Sequence, residues 1–237
     1  MSAYAAVVLA GGAARRLGGL DKPALPVGGV PMRERVLAAV ADASPRILVG
    51  PGPAPAGVRL TRESPPGGGP VAATAAGLAL LHADVPAVAL LAADLPLLTR
   101  SAVGELLRHL DAPPAAPSSA EPSAPSSAPP AAPSSAEPSA PSSAPPAASS
   151  SARPVDGVCF VDEDGRRQLL CGVWRPAALR AALDRLTVRR GDLAGAALRE
   201  LLADLAVREL TWPGDGPAPW FDCDTERDLR QAEEWSR

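Results

Sequence analysis

The sequence predicts an α/β fold in which helices cover both faces of a doubly wound, mostly parallel β-sheet, with a small β-hairpin as an elaboration. Short runs of valine, leucine and alanine alternate with helical stretches through the first half of the chain. The runs at 4–10 and 87–92 are apolar at every position, which is typical of strands buried on both faces. A polar turn at residues 162–165, between two further strand-like runs, predicts the hairpin.

The predicted elements follow one another in a regular order. Strands are expected at 4–10, 46–50, 58–62 and 87–92, and helices at 31–43, 71–82 and 100–110. In the last third of the chain the hairpin is expected over 156–174, helices at 176–186 and 192–204, strands at 206–211 and 219–223, and a closing helix from about 225. Strand and helix in alternation favour a sheet with helices on both sides.

Residues 113–154 are predicted to be a low-complexity insert. This stretch holds 13 of the 29 prolines and only three charges, and the string PPAAPSSAEPSAPSSA at 113–128 recurs unchanged at 129–144. Such a composition cannot bury enough apolar surface to offset the entropy lost on ordering, so we expect a disordered or polyproline II segment. A PxxP docking segment is the alternative. The other 195 residues suffice for one globular domain, so 1–237 is predicted to be a single domain with an insert.

Charge and composition exclude several classes of protein. With 26 acidic and 23 basic residues the net charge is −3, which gives no overall attraction to nucleic acid or to an anionic membrane. Cys159, Cys171 and Cys223 are widely spaced and form no CxxC pair, which argues against a disulfide framework or a structural zinc site. Cys159 and Cys171 are expected to be buried apolar residues of the hairpin. The absence of a disulfide pattern predicts a cytoplasmic protein, and no apolar run is long enough for a membrane span.

A glycine-containing loop with several cations follows the first predicted strand. The string VVLAGGAARRLGGLDKPALPVGG places Leu9-Ala10-Gly11-Gly12 at the strand end and Arg15, Arg16 and Lys22 after it. Open α/β sheets bind ligands in loops at the carboxyl ends of parallel strands, and glycines let backbone N–H groups approach phosphate oxygens. The sequence therefore predicts a phosphate-binding loop, although it matches neither GxGxxG nor GxxxxGK[ST]. A flexible glycine turn with solvated arginines is the alternative.

Acidic residues follow two further predicted strands. Asp94 comes directly after the apolar run AVALLA, over the same crevice as the glycine loop, where a carboxylate can hold Mg²⁺ against phosphate oxygens. Asp222 and Asp224 lie at alternate positions near the end of the chain, just before the closing helix. Each also has a structural interpretation, because aspartates at such positions commonly cap helices and turns.

Three separated elements of the glycine loop resemble the signature of the MobA-like nucleotidyltransferases. They stand here as Leu9-Ala10-Gly11-Gly12, Arg16-Leu17-Gly18 and Lys22-Pro23. The resemblance implies a Rossmann-like nucleotidyltransferase fold and a loop that wraps the triphosphate of an incoming NTP. It also implies that Arg16 and Lys22 neutralise charge as pyrophosphate departs. Ala13 stands where the family often has serine, so a hydroxyl contact is lost there.

The same resemblance implies roles for residues elsewhere in the chain. Asp94, in its ADLP context, matches the magnesium aspartate of the family, and the DCDT string implies that Asp222 and Asp224 complete the magnesium ligands. Gln168, within RRQLLCGVW, stands in the segment that receives the second substrate, with Leu169 in place of the family's proline.

The string RESPPGGGPVAATAAGL predicts a close-approach loop that leads into a helix. Its glycines, Gly67 to Gly69, suit a nucleobase packed against the backbone, and Gly69 is a candidate nucleotide-binding residue. The segment resembles the base-selecting segment of the family. Glu63 is the candidate partner of guanine N1–H and N2–H₂, since a carboxylate accepts from both donors at once. A surface glutamate before a turn is the alternative.

The resemblance as a whole implies Mg²⁺-dependent transfer of GMP from GTP to molybdopterin, with release of pyrophosphate. Cytidylyl or guanylyl transfer to another phosphorylated acceptor is the nearest alternative. A nucleotide-binding protein without turnover is a further one. The presence of Lys22, Asp94 and Asp224 together favours an enzyme. Neither nucleic acid nor a membrane is an expected partner.

Overall fold

The computed structural model describes residues 3–11, 21–113, 154–214 and 216–236. The chain divides into a larger unit, Met1–Ala112 with Val155–Arg237, and a smaller unit, Pro113–Pro154. Residues 114–153 of the smaller unit are outside the described residues, so the predicted disorder of the insert stays a prediction. All helices and strands named below belong to the larger unit.

The described part of the larger unit contains nine strands and six α-helices. The strands are β1 (Ala5–Leu9), β2 (Pro26–Val27), β3 (Val30–Pro31), β4 (Arg46–Val49), β5 (Val58–Thr61), β6 (Val88–Ala92), β7 (Gly157–Val161), β8 (Arg167–Trp174) and β9 (Val207–Leu210). The helices are α1 (Met32–Ala39), α2 (Gly69–Leu78), α3 (Arg100–Asp111), α4 (Pro176–Arg190), α5 (Leu198–Leu202) and α6 (Glu226–Trp235). A short 3₁₀ turn spans Lys22–Ala24.

Seven strands form one sheet in the order β5-β4-β1-β6-β8-β7-β9. β1 pairs in parallel with β4 and β6, β4 with β5, and β7 with β9. β8 runs antiparallel to its neighbours β6 and β7, so the sheet is mostly parallel, as predicted. The chain builds β4 and β5 on one side of β1 and then β6 on the other. β1 and β6 therefore flank a switch point of the topology, the place where open α/β sheets bind ligands at the carboxyl ends of their strands.

Helices cover both faces of the sheet because its central strands are apolar at every position. All five residues of β1 are buried: Ala6 and Val8 face one apolar layer, and Ala5, Val7 and Leu9 face the other. Helices α1 and α3 contribute to the first layer, whereas α2, α4 and α5 contribute to the second. The doubly wound architecture inferred from the unbroken apolar runs is therefore confirmed.

The predicted hairpin is present as β7 and β8. Its turn is stabilised by Asp162, whose backbone N–H donates to the Arg166 carbonyl at 3.0 Å and whose Oδ1 accepts from the N–H groups of Asp164 and Arg166. Gly165 has a φ of 75°, a left-handed conformation that glycine adopts without a steric penalty. Through β8 the hairpin becomes part of the main sheet beside β6.

The predicted strand at 219–223 is wrong. In its place the N–H of Phe221 donates to the Ala218 carbonyl at 3.0 Å, which makes a turn, and residues 221–224 form no regular structure. Pro217 and Pro219 supply no N–H group and are poorly suited to a strand that must pair with a neighbour. The apolar residues of this segment pack irregularly instead of alternating across a sheet.

The predicted helix at 192–204 is shorter than expected and is confined to α5. Gly191 and Gly195 both have positive φ values, and Asp192 Oδ1 accepts from the N–H of Ala194 at 3.1 Å, so residues 192–197 are not helical. Within the described residues, no helix combines the length and apolar character that crossing a bilayer requires.

Candidate active site

The chain leaves β1 at the edge of the sheet where the sequence predicts the phosphate loop. The Ala10 N–H donates to Val49 O at 2.7 Å, and the Ala93 N–H donates to Leu9 O at 3.0 Å, so the loop begins between β4 and β6. Gly11, the next residue, is exposed at this edge. Gly12 and Arg16 lie in 12–20, outside the described residues, and their roles stay predictions.

Gly50, directly after β4, lets the backbone of the glycine loop pass close by. It has a φ of 142°, and a Cβ at this position would lie 2.8 Å from the Ala10 carbonyl carbon and 3.0 Å from the Gly11 nitrogen. Any other residue would displace the start of the loop, since those contacts are with backbone atoms. No motif of the sequence points to Gly50, although a glycine directly after a predicted strand signals a close approach of this kind.

Lys22 lies at the centre of a charge cluster at the same edge. Its Nζ is 2.6 Å from Oδ2 of Asp94 and 2.6 Å from Oδ1 of Asp224. Burial disfavours the charged form of Lys22, but the hydrogen bonds and charges of Asp224 and Asp94 outweigh it, so the pKa of the lysine is raised. The structure thus brings together three predicted site residues that are up to 202 positions apart in the chain.

The composition of the chain gives a further signal for Lys22, independent of the motifs around it. It is the only lysine among 23 basic residues, all the others being arginine. A composition so biased toward arginine makes a single lysine conspicuous, because the two side chains are not interchangeable where a compact ammonium is needed. The side chain is only 14% exposed, which suits a contact of this kind.

Asp222 adds a third carboxylate to this cluster. Partial burial raises the pKa of its carboxyl, and the nearby charges of Asp224 and Asp94 raise it further, while the charge of Lys22 acts in the opposite direction. Among Lys22 and these three aspartates, carboxylates thus exceed ammonium groups three to one. Such an excess of carboxylate oxygens is the kind of ligand set that Mg²⁺ prefers.

The closing helix begins directly after this cluster, at the position the sequence predicts. Thr225 is its N-cap: its Oγ1 accepts from the Asp228 N–H at 3.2 Å, and Asp228 Oδ2 accepts from the Thr225 N–H at 2.7 Å. This capping box fixes the first turn of α6. Asp224, one residue earlier, is held next to the helix start and contacts Lys22, so the helix start also orients a site residue.

Magnesium fits the chemistry of these side chains. One oxygen from Asp94 and one from Asp224 converge on the same point, where the Lys22 ammonium lies. Proteins commonly hold Mg²⁺ at nucleotide sites through one or two carboxylates together with phosphate oxygens. In the described ranges, no three His, Cys, Asp or Glu side chains are arranged to hold a metal by themselves. A magnesium ion here would accordingly take its other ligands from the substrate and from water.

Glu63 lies next to the start of the glycine loop. A Cβ built on Gly11 would be 3.7 Å from Glu63 Oε1, and the same oxygen accepts from the Gly67 N–H at 3.0 Å. The carboxylate thus stands between the two glycine-rich segments that the sequence assigns to the nucleotide. Gly69, with a φ of 88°, begins α2 beside it.

The loop at Gly195, from the second half of the chain, contacts the glycine segment at 67–69. The N–H of Gly195 donates to the Gly68 carbonyl at 2.9 Å, and a Cβ on Gly68 would lie 2.9 Å from the Pro65 carbonyl oxygen. The glycine at 68 is therefore required by close packing. The contact with Gly195 has no counterpart in the sequence pattern, because it joins two loops that are far apart in the chain.

Gln168 lies on β8, which begins at the edge of the sheet where β6 ends. β8 runs antiparallel to β6 with Cys171 opposite Leu91, so the residues before Cys171 extend toward this edge. Gln168 Nε2 donates to Asp162 Oδ2 at 3.0 Å and to the Arg166 carbonyl at 3.3 Å. Its amide is thus oriented by the hairpin turn.

The cysteines have the apolar role that the sequence predicts for those of the hairpin. Cys159, Cys171 and Cys223 are all buried free thiols. Burial raises the pKa of Cys159 to about 11 and that of Cys223 to about 12, so both remain protonated at neutral pH. Thiols of this kind are poor nucleophiles, because the thiolate is the reactive form.

A mostly parallel sheet with Gly11, Lys22 and the aspartates at one carboxyl edge is the arrangement expected of a nucleotidyltransferase. The sequence profile of the MobA-like NTP transferase domain matches residues 6–208. The chain belongs to this family. The family and the enzyme class predicted from the LAGG, RLG and Lys22-Pro23 elements are thereby confirmed.

Solved structures share the fold over nearly their whole length. 2-C-methyl-D-erythritol 4-phosphate cytidylyltransferase from Thermus thermophilus has 18% sequence identity and a TM-score of 0.60, covering 98% of each chain. Molybdopterin-guanine dinucleotide biosynthesis protein A from Archaeoglobus fulgidus has 16% identity and a TM-score of 0.61, covering 97% of this chain and 96% of that one. 4-diphosphocytidyl-2C-methyl-D-erythritol synthase from Anaerococcus prevotii has 13% identity and a TM-score of 0.59, covering 99% and 96%. A comparison with curated proteins gives no match.

Proposed function

We propose that the protein is a Mg²⁺-dependent guanylyltransferase that transfers GMP from GTP to molybdopterin, forming molybdopterin guanine dinucleotide and pyrophosphate. The observation that carries this proposal is the convergence of Lys22, Asp94 and Asp224 at the edge of the sheet where Glu63 faces Gly11. Lys22 and the two aspartates suit phosphates and a metal ion. The carboxylate of Glu63 suits a nucleobase with two donors on one side.

The reaction is a displacement at phosphorus. An oxygen of the molybdopterin phosphate forms a bond to the α-phosphorus of GTP, and the bond from that phosphorus to the bridging oxygen of the β-phosphate breaks. The electron pair of the broken bond leaves with pyrophosphate. The protein makes no covalent bond, so catalysis depends on holding the two substrates in line and on balancing the developing charge.

Lys22 and Arg16 supply positive charge to the leaving pyrophosphate in this proposal. The ammonium of Lys22 is held between two carboxylates, so it stays protonated and close to the phosphate oxygens as they gain charge. Mg²⁺, held by Asp94 and Asp224 with Asp222 nearby, would neutralise phosphate oxygens and orient them. The glycine backbone at Gly11 supplies N–H donors for the same phosphates.

Glu63 accounts for the choice of guanine. Its Oε1 accepts from Gly67, and within the described residues its Oε2 makes no hydrogen bond. A carboxylate so fixed can accept from guanine N1–H and N2–H₂, whereas adenine and cytosine present no matching pair of donors. The same segment also provides space for the base, because Gly67 and Gly69 have no side chains to block its approach to the backbone.

The acceptor fits the part of the edge formed by β8 and the hairpin turn. Gln168 lies there with its amide held by Asp162, so its carbonyl oxygen is available to a ligand. β8 lies next to β6, whose end leads to Asp94. A phosphorylated acceptor bound at this place would present its phosphate to the same cations that hold the triphosphate.

Cytidylyl transfer to another phosphorylated acceptor is the second candidate. Two of the solved structures with this fold are a cytidylyltransferase and a diphosphocytidyl-methylerythritol synthase, and they match as well as the molybdopterin-guanine dinucleotide protein does. In this chain either activity would use the phosphate site proposed at Lys22, Asp94 and Asp224. The base and the acceptor therefore separate the two candidates.

Calorimetry with GTP, CTP and ATP tests the proposed base. We expect GTP to bind about one to two decades more tightly than the others, because an unmatched carboxylate in a partly desolvated pocket commonly costs about 1–3 kcal/mol. Glu63→Gln should remove most of this preference, since an amide nitrogen would then face the guanine donors. Glu34→Gln is the matched control, because Glu34 is an exposed glutamate on α1.

Equal affinities for the three nucleotides, or tighter binding of CTP, would contradict the guanylyltransferase proposal. Such results would leave the nucleotidyltransferase fold and the Lys22–Asp94 contact unaffected. If the Glu63→Gln variant still prefers GTP, a residue other than Glu63 makes the contact with the base.

A further inference from the structure

We propose that Arg33 is a positioning residue of the nucleotide site: through Asp21 it fixes the segment that presents Lys22. This inference rests on the proposed role of Lys22 in binding the triphosphate. Arg33 lies in the first turn of α1, eleven positions after Lys22, and no family motif in the sequence singles it out.

The contact itself joins the glycine loop to α1. Arg33 Nη1 lies 3.0 Å from Asp21 Oδ2, and the Arg33 side chain is only 12% exposed, against 42% for Asp21. An ion pair with one nearly buried partner is more sensitive to loss of the other than a fully exposed pair is. The guanidinium is therefore placed as an anchor for the residue directly before Lys22.

The guanidinium is also packed against the loop after β4. A Cβ on Gly52 would lie 3.0 Å from Arg33 Nη1 and 3.9 Å from Asp21 Oδ2, and Gly52 has a φ of 95°. Gly50, two residues earlier, packs in the same way against Ala10 and Gly11. One loop thus contacts the described residues on both sides of the 12–20 segment: Gly11 before it, and Asp21 through Arg33 after it.

The contact between Arg33 and Asp21 matters because Asp21 begins the short turn that carries Lys22. Asp21 is the N-cap residue of the 3₁₀ turn at Lys22–Ala24, its carbonyl accepts from the Ala24 N–H at 2.9 Å, and its side chain does not cap the turn. A turn of three residues has little stability of its own. The side chain of Asp21 is thereby free to be held by Arg33, which fixes the direction in which Lys22 leaves the backbone.

The charges around Lys22 give a second reason for the ion pair between Arg33 and Asp21. Asp21 is a carboxylate next to a lysine that is already shared by Asp94 and Asp224. Without Arg33, the carboxylate of Asp21 would become another competitor for the Lys22 ammonium. Arg33 neutralises Asp21 and keeps it directed toward α1.

The test measures nucleotide binding by calorimetry, with whichever of GTP, CTP and ATP binds the wild-type protein most tightly. Arg33→Met should weaken binding about tenfold, and Arg33→Lys should recover most of the loss because it restores a cation opposite Asp21. Asp21→Asn should weaken binding a few-fold, and the double variant should bind no more weakly than Arg33→Met alone, because residues that act through one contact are not additive. Arg100→Met, which removes an exposed ion pair with Asp42, is the control and should bind like the wild type.

Unchanged binding in Arg33→Met, or additive losses in the double variant, would overturn the positioning role. If Arg33→Met does not fold, Asp21→Asn and Arg33→Lys decide the matter: wild-type affinity in Asp21→Asn would overturn the inference. A wild-type protein that binds none of the three nucleotides would contradict the proposed function as well. A wild-type protein that prefers CTP would contradict only the choice of base and leave this test intact.

Discussion

Lys22 is the residue at which most of the site converges, because its ammonium is shared by carboxylates from two distant parts of the chain. Asp94 follows the central strand β6, and Asp224 precedes α6, so the contact forms only in the folded sheet. The cost of removing these charges from water offsets much of what partly buried ion pairs gain, so such a cluster adds little net stability. The contact of Lys22 with the two aspartates is therefore better explained by the binding of a ligand than by a contribution to the stability of the fold.

Replacement of Lys22 tests this interpretation at the residue scale. Lys22→Ala should keep the fold, since the side chain is not part of an apolar layer, and should lose most transfer activity because the leaving pyrophosphate loses a cation. Far-UV circular dichroism and pyrophosphate release measure the two properties. Near-wild-type turnover in this variant would remove Lys22 from the phosphate site.

Asp222→Asn tests the excess of negative charge. The pKa of Asp222 is raised in the folded protein by partial burial and by the carboxylates of Asp224 and Asp94. A raised pKa means that the ionised group is less favourable in the folded than in the unfolded chain, so its charge lowers the free energy of unfolding once the pH exceeds its folded pKa. The variant should therefore melt at a higher temperature at pH 7, and the gain should shrink toward zero below about pH 4, where the carboxyl is protonated in both states.

Thermal denaturation at pH 7, 5 and 3.5 without added metal measures this difference. Asp224→Asn is the comparison variant, because it removes a contact of Lys22 and should not be stabilising. An unchanged or lower melting temperature for Asp222→Asn at pH 7 would contradict the charge excess.

The sequence predicts that Lys22, Asp94 and Asp224 lie at one edge of the sheet, where the structure places them, but it does not predict their contacts. Lys22, Asp94 and Asp224 were recognisable because each stands in a short motif or after an apolar run. The contact of Arg33 with Asp21 was not, because it depends on how α1 begins beside a loop that follows β4. Such contacts are set by tertiary packing, for which a single sequence gives no periodic signal.

At the scale of the elements, helix α2 packs closely against the central strand because of Gly77. A Cβ at this position would lie 2.4 Å from Val7 Cγ1 and 3.2 Å from Val49 Cγ2. Valine side chains have few alternative rotamers, so neither neighbour can turn away. The glycine thus determines how near the helix lies to β1 and β4.

Gly77→Ala should lower the free energy of unfolding. Alanine gains about 1 kcal/mol in helix propensity, but overpacking against Val7 and Val49 costs roughly 1–3 kcal/mol or more, and a contact this short places the cost at the upper end. Gly104→Ala in α3 is the matched control: nothing lies within 4 Å of its added Cβ, so it should stabilise by about 0.5–1 kcal/mol. Urea denaturation measures both, and a stabilised Gly77→Ala would contradict the close packing.

Deletion of residues 113–152 tests the prediction that the insert is dispensable. Arg175 joins the two described ends: its Nη2 donates to the Leu110 carbonyl at 3.2 Å, and its backbone N–H donates to the Asp156 carbonyl at 2.8 Å. Because these ends are close and closure entropy grows only logarithmically with loop length, the deletion should leave melting temperature and activity nearly unchanged. Loss of folding, or core-like dispersion of the insert's resonances in the intact protein, would contradict the prediction.

The elements that the sequence predicts best are those with uniform apolar character. β1 and β6 fall where unbroken runs of valine, leucine and alanine lie, because a strand buried on both faces needs no polar residue, and β4 falls on the apolar run Ile47–Val49. The strand expected at 219–223 is wrong because the segment has no unbroken apolar run, and Pro217 and Pro219 supply no N–H groups for pairing. The pair β2 and β3 has two residues in each strand, too few to form a pattern.

At the scale of the whole molecule, the topology brings the site together. β1 lies between β4 and β6, so the glycine loop, the loop with Gly50 and the Asp94 segment all leave the sheet at the same edge. The antiparallel β8 then brings Gln168 to that edge from the second half of the chain. A nucleotide and an acceptor can therefore meet over the switch point, which is what transfer between two phosphorylated substrates requires.

Pyrophosphate release with each of the four NTPs, with and without molybdopterin, tests the central claim most directly. With Mg²⁺ present, we expect release that needs both GTP and molybdopterin and that Lys22→Ala largely abolishes. Release that requires CTP, that is independent of molybdopterin, or that Lys22→Ala leaves unchanged would contradict the account.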